Sequence, residues 1–273
     1  MTILRIAIYC LIGGLVITFG AFVTGGFAWW WLAGILFAAA FVPVARFGPR
    51  GVLAQFGVMV PVFLIVTLAC LWSEAWIFVP EFRKHVGVRD LVAAAVTYAI
   101  FALVLAVLAV LLKLRQAEGP SVELRPAGTL AALVLVCGLA YAFYYLVFGS
   151  IAYQFFTKQY YPQAADEVAR VGAWFWPIEI ARGVLMTLAV LPAMRTLRLS
   201  RWQTAIAVGV LIWVTGGLAP LVLPTTGMVP RQRFIHVIEI LTQNASLGIT
   251  AGLLLRKRPA RHGSTVPSAV VVA

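Results

Sequence analysis

The chain has 273 residues, of which 63% are hydrophobic and 11% charged, with a net charge of +12 and a mean hydropathy of +0.99. A water-soluble domain runs near half apolar and a quarter charged, so this composition describes a membrane protein. At about 20 apolar residues per crossing the chain supplies about eight crossings and no soluble domain, and its cations are dispersed between apolar runs, which excludes a nucleic-acid footprint.

Apolar stretches bounded by charge, Pro or Gly predict helices over Ile6 to Val23, Phe27 to Ala45, Val52 to Trp72, Leu91 to Leu112, Leu130 to Ala152, Val171 to Ala193, Trp202 to Leu223 and Phe234 to Leu255. The expected fold is all-α, a polytopic transmembrane helix bundle forming one domain over residues 1–255. A basic and then disordered tail follows over 256–273. The tightest break is Val23 to Gly26, where a glycine hairpin must carry the reversal between the first two spans. Met1 to Val23 holds one basic residue, Arg5, and no cleavage site, so the first span is expected to stay in the mature protein. Cys10, Cys70 and Cys137 each sit inside an apolar run and read as small buried or lipid-facing residues rather than a disulfide framework.

Lysine and arginine asymmetry sets orientation. With both ends inside, inner segments hold thirteen of the 21 Lys and Arg, outer loops hold seven, and Arg182 lies alone within a span. Both termini are therefore expected in the cytoplasm, with the chain in the cytoplasmic membrane of a prokaryote and the lipid bilayer as its first partner. The tail from Arg256 to Arg261 suits a positive-inside anchor or anionic headgroups. The outer connections are aromatic: Trp76 to Pro80, Tyr153 to Pro162 and Trp174 to Trp176. They read as a headgroup-level belt or as the mouth of a pocket open to the outer face.

Ionisable side chains at bilayer depth usually face the bundle interior. The sixth span carries Glu179 and Arg182 at i and i+3; the eighth carries His236, Glu239 and Gln243 on one face with Asn244 beside them. Entry at Pro177 and Arg233 would place Arg182 ~8 Å and Glu239 ~9 Å into the membrane. Arg182 is therefore expected to pair with Glu239, Glu179 or both. Tyr141, Tyr145 and Tyr153 of the fifth span and Glu74 at the outer end of the third are candidate pocket-lining residues.

Several chemistries lack their residues. A retinal Schiff base needs a lysine in a span and a bis-histidine haem needs two imidazoles at depth, but all four lysines lie in loops or at ends and only His236 lies in a span. No cofactor is expected. His236 and Glu239 with Glu179 could supply three metal ligands, but Arg182 in the same patch opposes a dication, and no metal site is expected. Gly248 and Gly252 read as a close helix crossing. Three functional readings remain: a small-molecule binding protein or proton-coupled transporter in which Arg182 meets an acidic ligand group; a membrane enzyme acting on a lipid or isoprenoid, with His236 and Glu239 as base and acid and Ser150 the one candidate nucleophile; and an assembly subunit whose polar network only fixes packing.

Overall fold

The structure, a computed structural model, describes residues 2–20, 25–116, 122–160, 164–223 and 228–257. Among the described residues, eight helical segments are long and apolar enough to cross a bilayer: Thr2–Phe19, Phe27–Phe47, Val52–Phe78, Val88–Leu111, Ala127–Thr157, Asp166–Thr196, Arg201–Val222 and Pro230–Leu255. The chain is an integral membrane helix bundle. No strand forms among the described residues, where β pairing is limited to an isolated Leu124–Arg256 bridge. The basic tail at Arg258 and Arg261, and the hairpin tip at Val23 and Thr24, lie outside the described residues. Gly25 and Gly26 follow that tip at φ values of 72° and 73°, a region that favours glycine.

Three spans run further at the end away from residues 2 and 257 than hydropathy suggests. The third continues to Phe78, the fifth to Thr157, and the sixth starts at Asp166. The added turns carry aromatic and amphipathic sequence that a hydropathy window reads as loop. At 1.5 Å per residue, the 31-residue fifth and sixth segments reach roughly 46 Å and so project past a hydrocarbon core of about 30 Å.

Burial separates inner from outer helices: 67% of the apolar 18-residue stretch of the seventh span is buried within the protein but only 22% of that of the fourth. The first span packs on the second and fourth, and the fifth on the sixth and eighth. The third touches the fourth, sixth and seventh, and the second also packs on the seventh, so the two groups are joined along both. Without a hydrophobic drive between helices in lipid, small residues that admit close backbones supply the attraction. The seventh and eighth spans show this directly: a Cβ on Gly248 would lie 2.5 Å from Gly209 Cα, and one on Gly252 would lie 2.5 Å from Ala205 Cα. The crossing expected from the glycine pair is present. Gly248→Val must force the two helices apart, so it is expected to cost about 1–3 kcal/mol or more. Size-exclusion chromatography of the detergent-extracted protein should show loss of the monodisperse peak; an unchanged peak and melting temperature would refute the crossing.

Each end of the bundle is tied by arginines. At the end holding residues 2 and 257, Arg115 Nε donates to the Gly48 carbonyl at 3.2 Å and Arg125 Nε to the Leu254 carbonyl at 3.2 Å, while Arg256 bonds Thr204 and Arg201 bonds the Leu253 carbonyl. Desolvation, then the neighbouring Arg50 and Arg198, lower the Arg115 guanidinium below its ordinary value. At the opposite end Arg83 Nη1 donates to the carbonyls of Trp76 at 2.8 Å and Ile77 at 2.7 Å. Arg83 and Arg170 also converge on Glu167, at 3.3 and 2.8 Å. This clamp holds the end of the third span against the start of the sixth.

Candidate functional site

The sixth span places Glu179 and Arg182 on one buried face, 0% and 5% exposed. Arg182 Nη1 donates to both Glu179 oxygens, at 2.9 and 2.7 Å. Its Nη2 donates to Glu74 Oε2 at 2.6 Å. The pairing with Glu179 is the one its i, i+3 spacing implies; the second carboxylate, however, is Glu74 of the third span and not Glu239. Tyr145 closes the arrangement by donating to Glu74 Oε1 at 3.3 Å. The Arg182 guanidinium carbon also lies 5.7 Å from the centre of the Tyr141 ring and 5.5 Å from that of Tyr145, within cation–π range. Arg182 is thus held between two carboxylates and two rings.

Glu239 has its own partners. His236 Nδ1 lies 3.0 Å from Glu239 Oε2, and Gln243 Nε2 donates to Glu239 Oε1 at 3.4 Å. The His236 and Glu239 side chains remain 19% and 14% exposed, which separates them from the fully buried Glu179.

Between the two clusters lies a half-open cleft of about 900 Å³, walled by the third, fifth, sixth, seventh and eighth spans, with Tyr98 reaching in from the fourth. Glu74, Tyr145, Tyr153, His236 and Glu239 line it, among aromatic walls that include Trp72, Phe78, Phe175 and Trp176. Of the aromatic connections, Phe78, Tyr153 and Trp176 border this cleft. Below the cleft is a second void of about 10 Å³, room for one water. It is bordered by Tyr141, Arg182, Gln243 and Asn244, and Glu74 borders both spaces. Of the candidates, Glu179 alone borders neither space.

Among the described residues the spans widen into π-helical turns in four places. Wide π-helical turns occupy Val62–Cys70, Tyr153–Thr157, Val214–Leu218 and Leu241–Ala245. Pro61, which cannot donate a backbone hydrogen bond, immediately precedes the first. Such turns free carbonyls and often mark functional sites. Here Thr67 Oγ1 donates to the Thr215 carbonyl at 2.9 Å, linking two of them. The turn in the eighth span contains the adjacent Gln243 and Asn244, both buried at 2% and 4% exposure. Gly216 makes room: a Cβ there would meet Asn244 Nδ2 at 2.9 Å and Val66 Cγ1 at 3.0 Å.

Two features escape a reading along single helices. Glu74 is a pocket-lining candidate in sequence, but its ion pair with Arg182, which makes it the link between both spaces, joins two helices and has no signal in either one. Tyr98 lines the cleft although it is an isolated tyrosine in an apolar run, with no other polar residue a turn away to mark its face. Among the described residues no three His, Cys, Asp or Glu side chains gather as a metal site. No protein-family model matches the chain, and no curated protein or solved structure matches it.

Proposed function

We propose that this membrane protein binds a small amphipathic molecule in the cleft, with Glu74, His236 and Glu239 as its polar contacts. One observation carries the reading: a space of about 900 Å³ sits within the range of ligand sites and combines apolar walls with a few convergent polar groups. A network that only fixed helix packing would close around its polar groups rather than leave this volume beside them. The enzyme reading is weakened by the same geometry, because the guanidinium that would hold a phosphate or carboxylate is already committed to Glu74 and Glu179. The polar file from Glu239 through Gln243 to Asn244, continuing past the cleft floor into the smaller void, favours coupling of binding to proton movement and hence transport.

The cation bias supports an orientation with both termini in the cytoplasm of a prokaryotic cell and the cleft facing outward. A cysteine introduced at the exposed Gln159, in a background lacking the three native cysteines, should react with a membrane-impermeant maleimide added to intact cells, whereas one at Arg50 should not. The reverse pattern overturns the orientation.

The binding reading is tested by melting the detergent-purified protein against amines, organic acids and neutral lipids. A ligand confined to the folded state adds about 2.7 kcal/mol at one hundred times its Kd. At least one class should stabilise the protein, and the effect should vanish when the cleft is filled. Stabilisation by none of them, or stabilisation that survives filling, rejects the reading.

A further inference from the structure

The cleft is negative in a strongly positive protein. The chain carries 21 Lys and Arg against 9 Asp and Glu, yet the described residues lining the cleft include Glu74 and Glu239 and no lysine or arginine. Arg182 does not reverse this sign. It is one cation between two carboxylates, so the Glu74–Arg182–Glu179 group has one negative charge in excess. Glu179 is 0% exposed and receives both Nη1 hydrogen bonds, so the excess is felt at Glu74, whose side chain is 18% exposed. Glu239, on the eighth span, adds a second carboxylate to the lining. His236 offsets it only when protonated, and one negative charge still remains. The arginines at the rim do not enter: Arg83 and Arg170 are spent on Glu167 and on the carbonyls of Trp76 and Ile77, and Arg233 donates to the carbonyls of Val222 and Met228.

The remaining wall is the second half of the argument. Rings of Trp72, Phe78, Phe82, Tyr145, Phe175 and Trp176 face the space. Aromatic faces with a nearby carboxylate, in a low-dielectric surrounding, are the arrangement that holds a desolvated organic cation. An anion would meet two carboxylates and ring faces of the same sign; a neutral molecule would leave the excess charge unmatched. Resting on the reading of the cleft as a ligand site, we infer that its ligand is a lipophilic cation, an amine or quaternary ammonium or phosphonium with an apolar body, whose charge sits between Glu74 and Glu239.

The test uses probes of similar size and different charge on the full chain in dodecyl maltoside: tetraphenylphosphonium, tetraphenylborate and neutral triphenylphosphine oxide. Each affinity is referenced to Ala75→Trp protein in the same detergent, which subtracts partition into the micelle. The phosphonium should bind at least about tenfold more tightly than the borate. Glu239→Gln and Glu74→Gln should each weaken phosphonium binding several-fold while leaving the phosphine oxide unchanged. Borate binding equal to or tighter than phosphonium, or a phosphonium preference untouched by Glu239→Gln, overturns the cation assignment while the cleft remains a site. Binding of all three probes that is insensitive to Ala75→Trp overturns the cleft reading and the assignment with it.

Discussion

Replacing Arg182 with Met should unfold the bundle more than any other single change at the polar site. The guanidinium has three hydrogen bonds to two carboxylates, at 2.6, 2.7 and 2.9 Å, and one of those carboxylates, Glu179, has no exposure at all. Removing one partner of a buried ion pair costs about 3–5 kcal/mol, because a charge is left without compensation. Against a total stability of about 5–15 kcal/mol, this is a large fraction, and the melting temperature should fall by about 10 °C. The double variant Arg182→Met with Glu179→Gln should recover most of the loss, since it neutralises the fully buried carboxylate and leaves only Glu74, whose side chain is 18% exposed, without its partner. Glu179→Gln alone should be mild, because Arg182 keeps Glu74. Thermal unfolding in detergent reads all three. An Arg182→Met protein melting within about 2 °C of the parent would show that the ion triad does not hold these helices together.

What could be read from the chain divides along a physical line. Interactions within one helix follow from the 3.6-residue period, so Glu179 with Arg182 and His236 with Glu239 are visible as i, i+3 pairs and both form. Interactions between helices depend on relative height and rotation, which hydropathy does not encode. Counting depth from Pro177 set Arg182 level with Glu239, but the helix already runs from Phe175, continuing a longer segment, and Arg182 instead faces Glu74 of the third span. The wide turns have the same status. Gln243 and Asn244 lie together in such a turn and are both buried, and no hydropathy pattern marks where the extra residue of the turn is inserted. The cleft itself is a property of six helices together, and no local pattern announces it. The Gly248 and Gly252 crossing was legible because small residues one turn apart leave no other good use for the face they make.

Ala75→Trp should abolish ligand-induced stabilisation while leaving the unliganded melting temperature nearly unchanged. Ala75 lies on the cleft wall, one residue from Glu74 on the third span, so a larger side chain there has empty space to enter rather than a packed core to displace. That distinguishes it from Arg182→Met, whose effect appears without any ligand. A matched substitution on the lipid side, Leu139→Trp at a position 52% exposed on the fifth span, adds the same indole where it meets only acyl chains. It should bind as the parent does, which removes the general effects of an added tryptophan from the comparison. The two variants then separate occupancy of the cleft from changes in helix packing. Should Ala75→Trp retain the full ligand effect, the molecule binds elsewhere, and the cleft is left as unfilled volume among the third to eighth spans. Should both variants lose it, the ligand reads the lipid-facing surface near the fifth span rather than the space enclosed between Glu74 and Glu239.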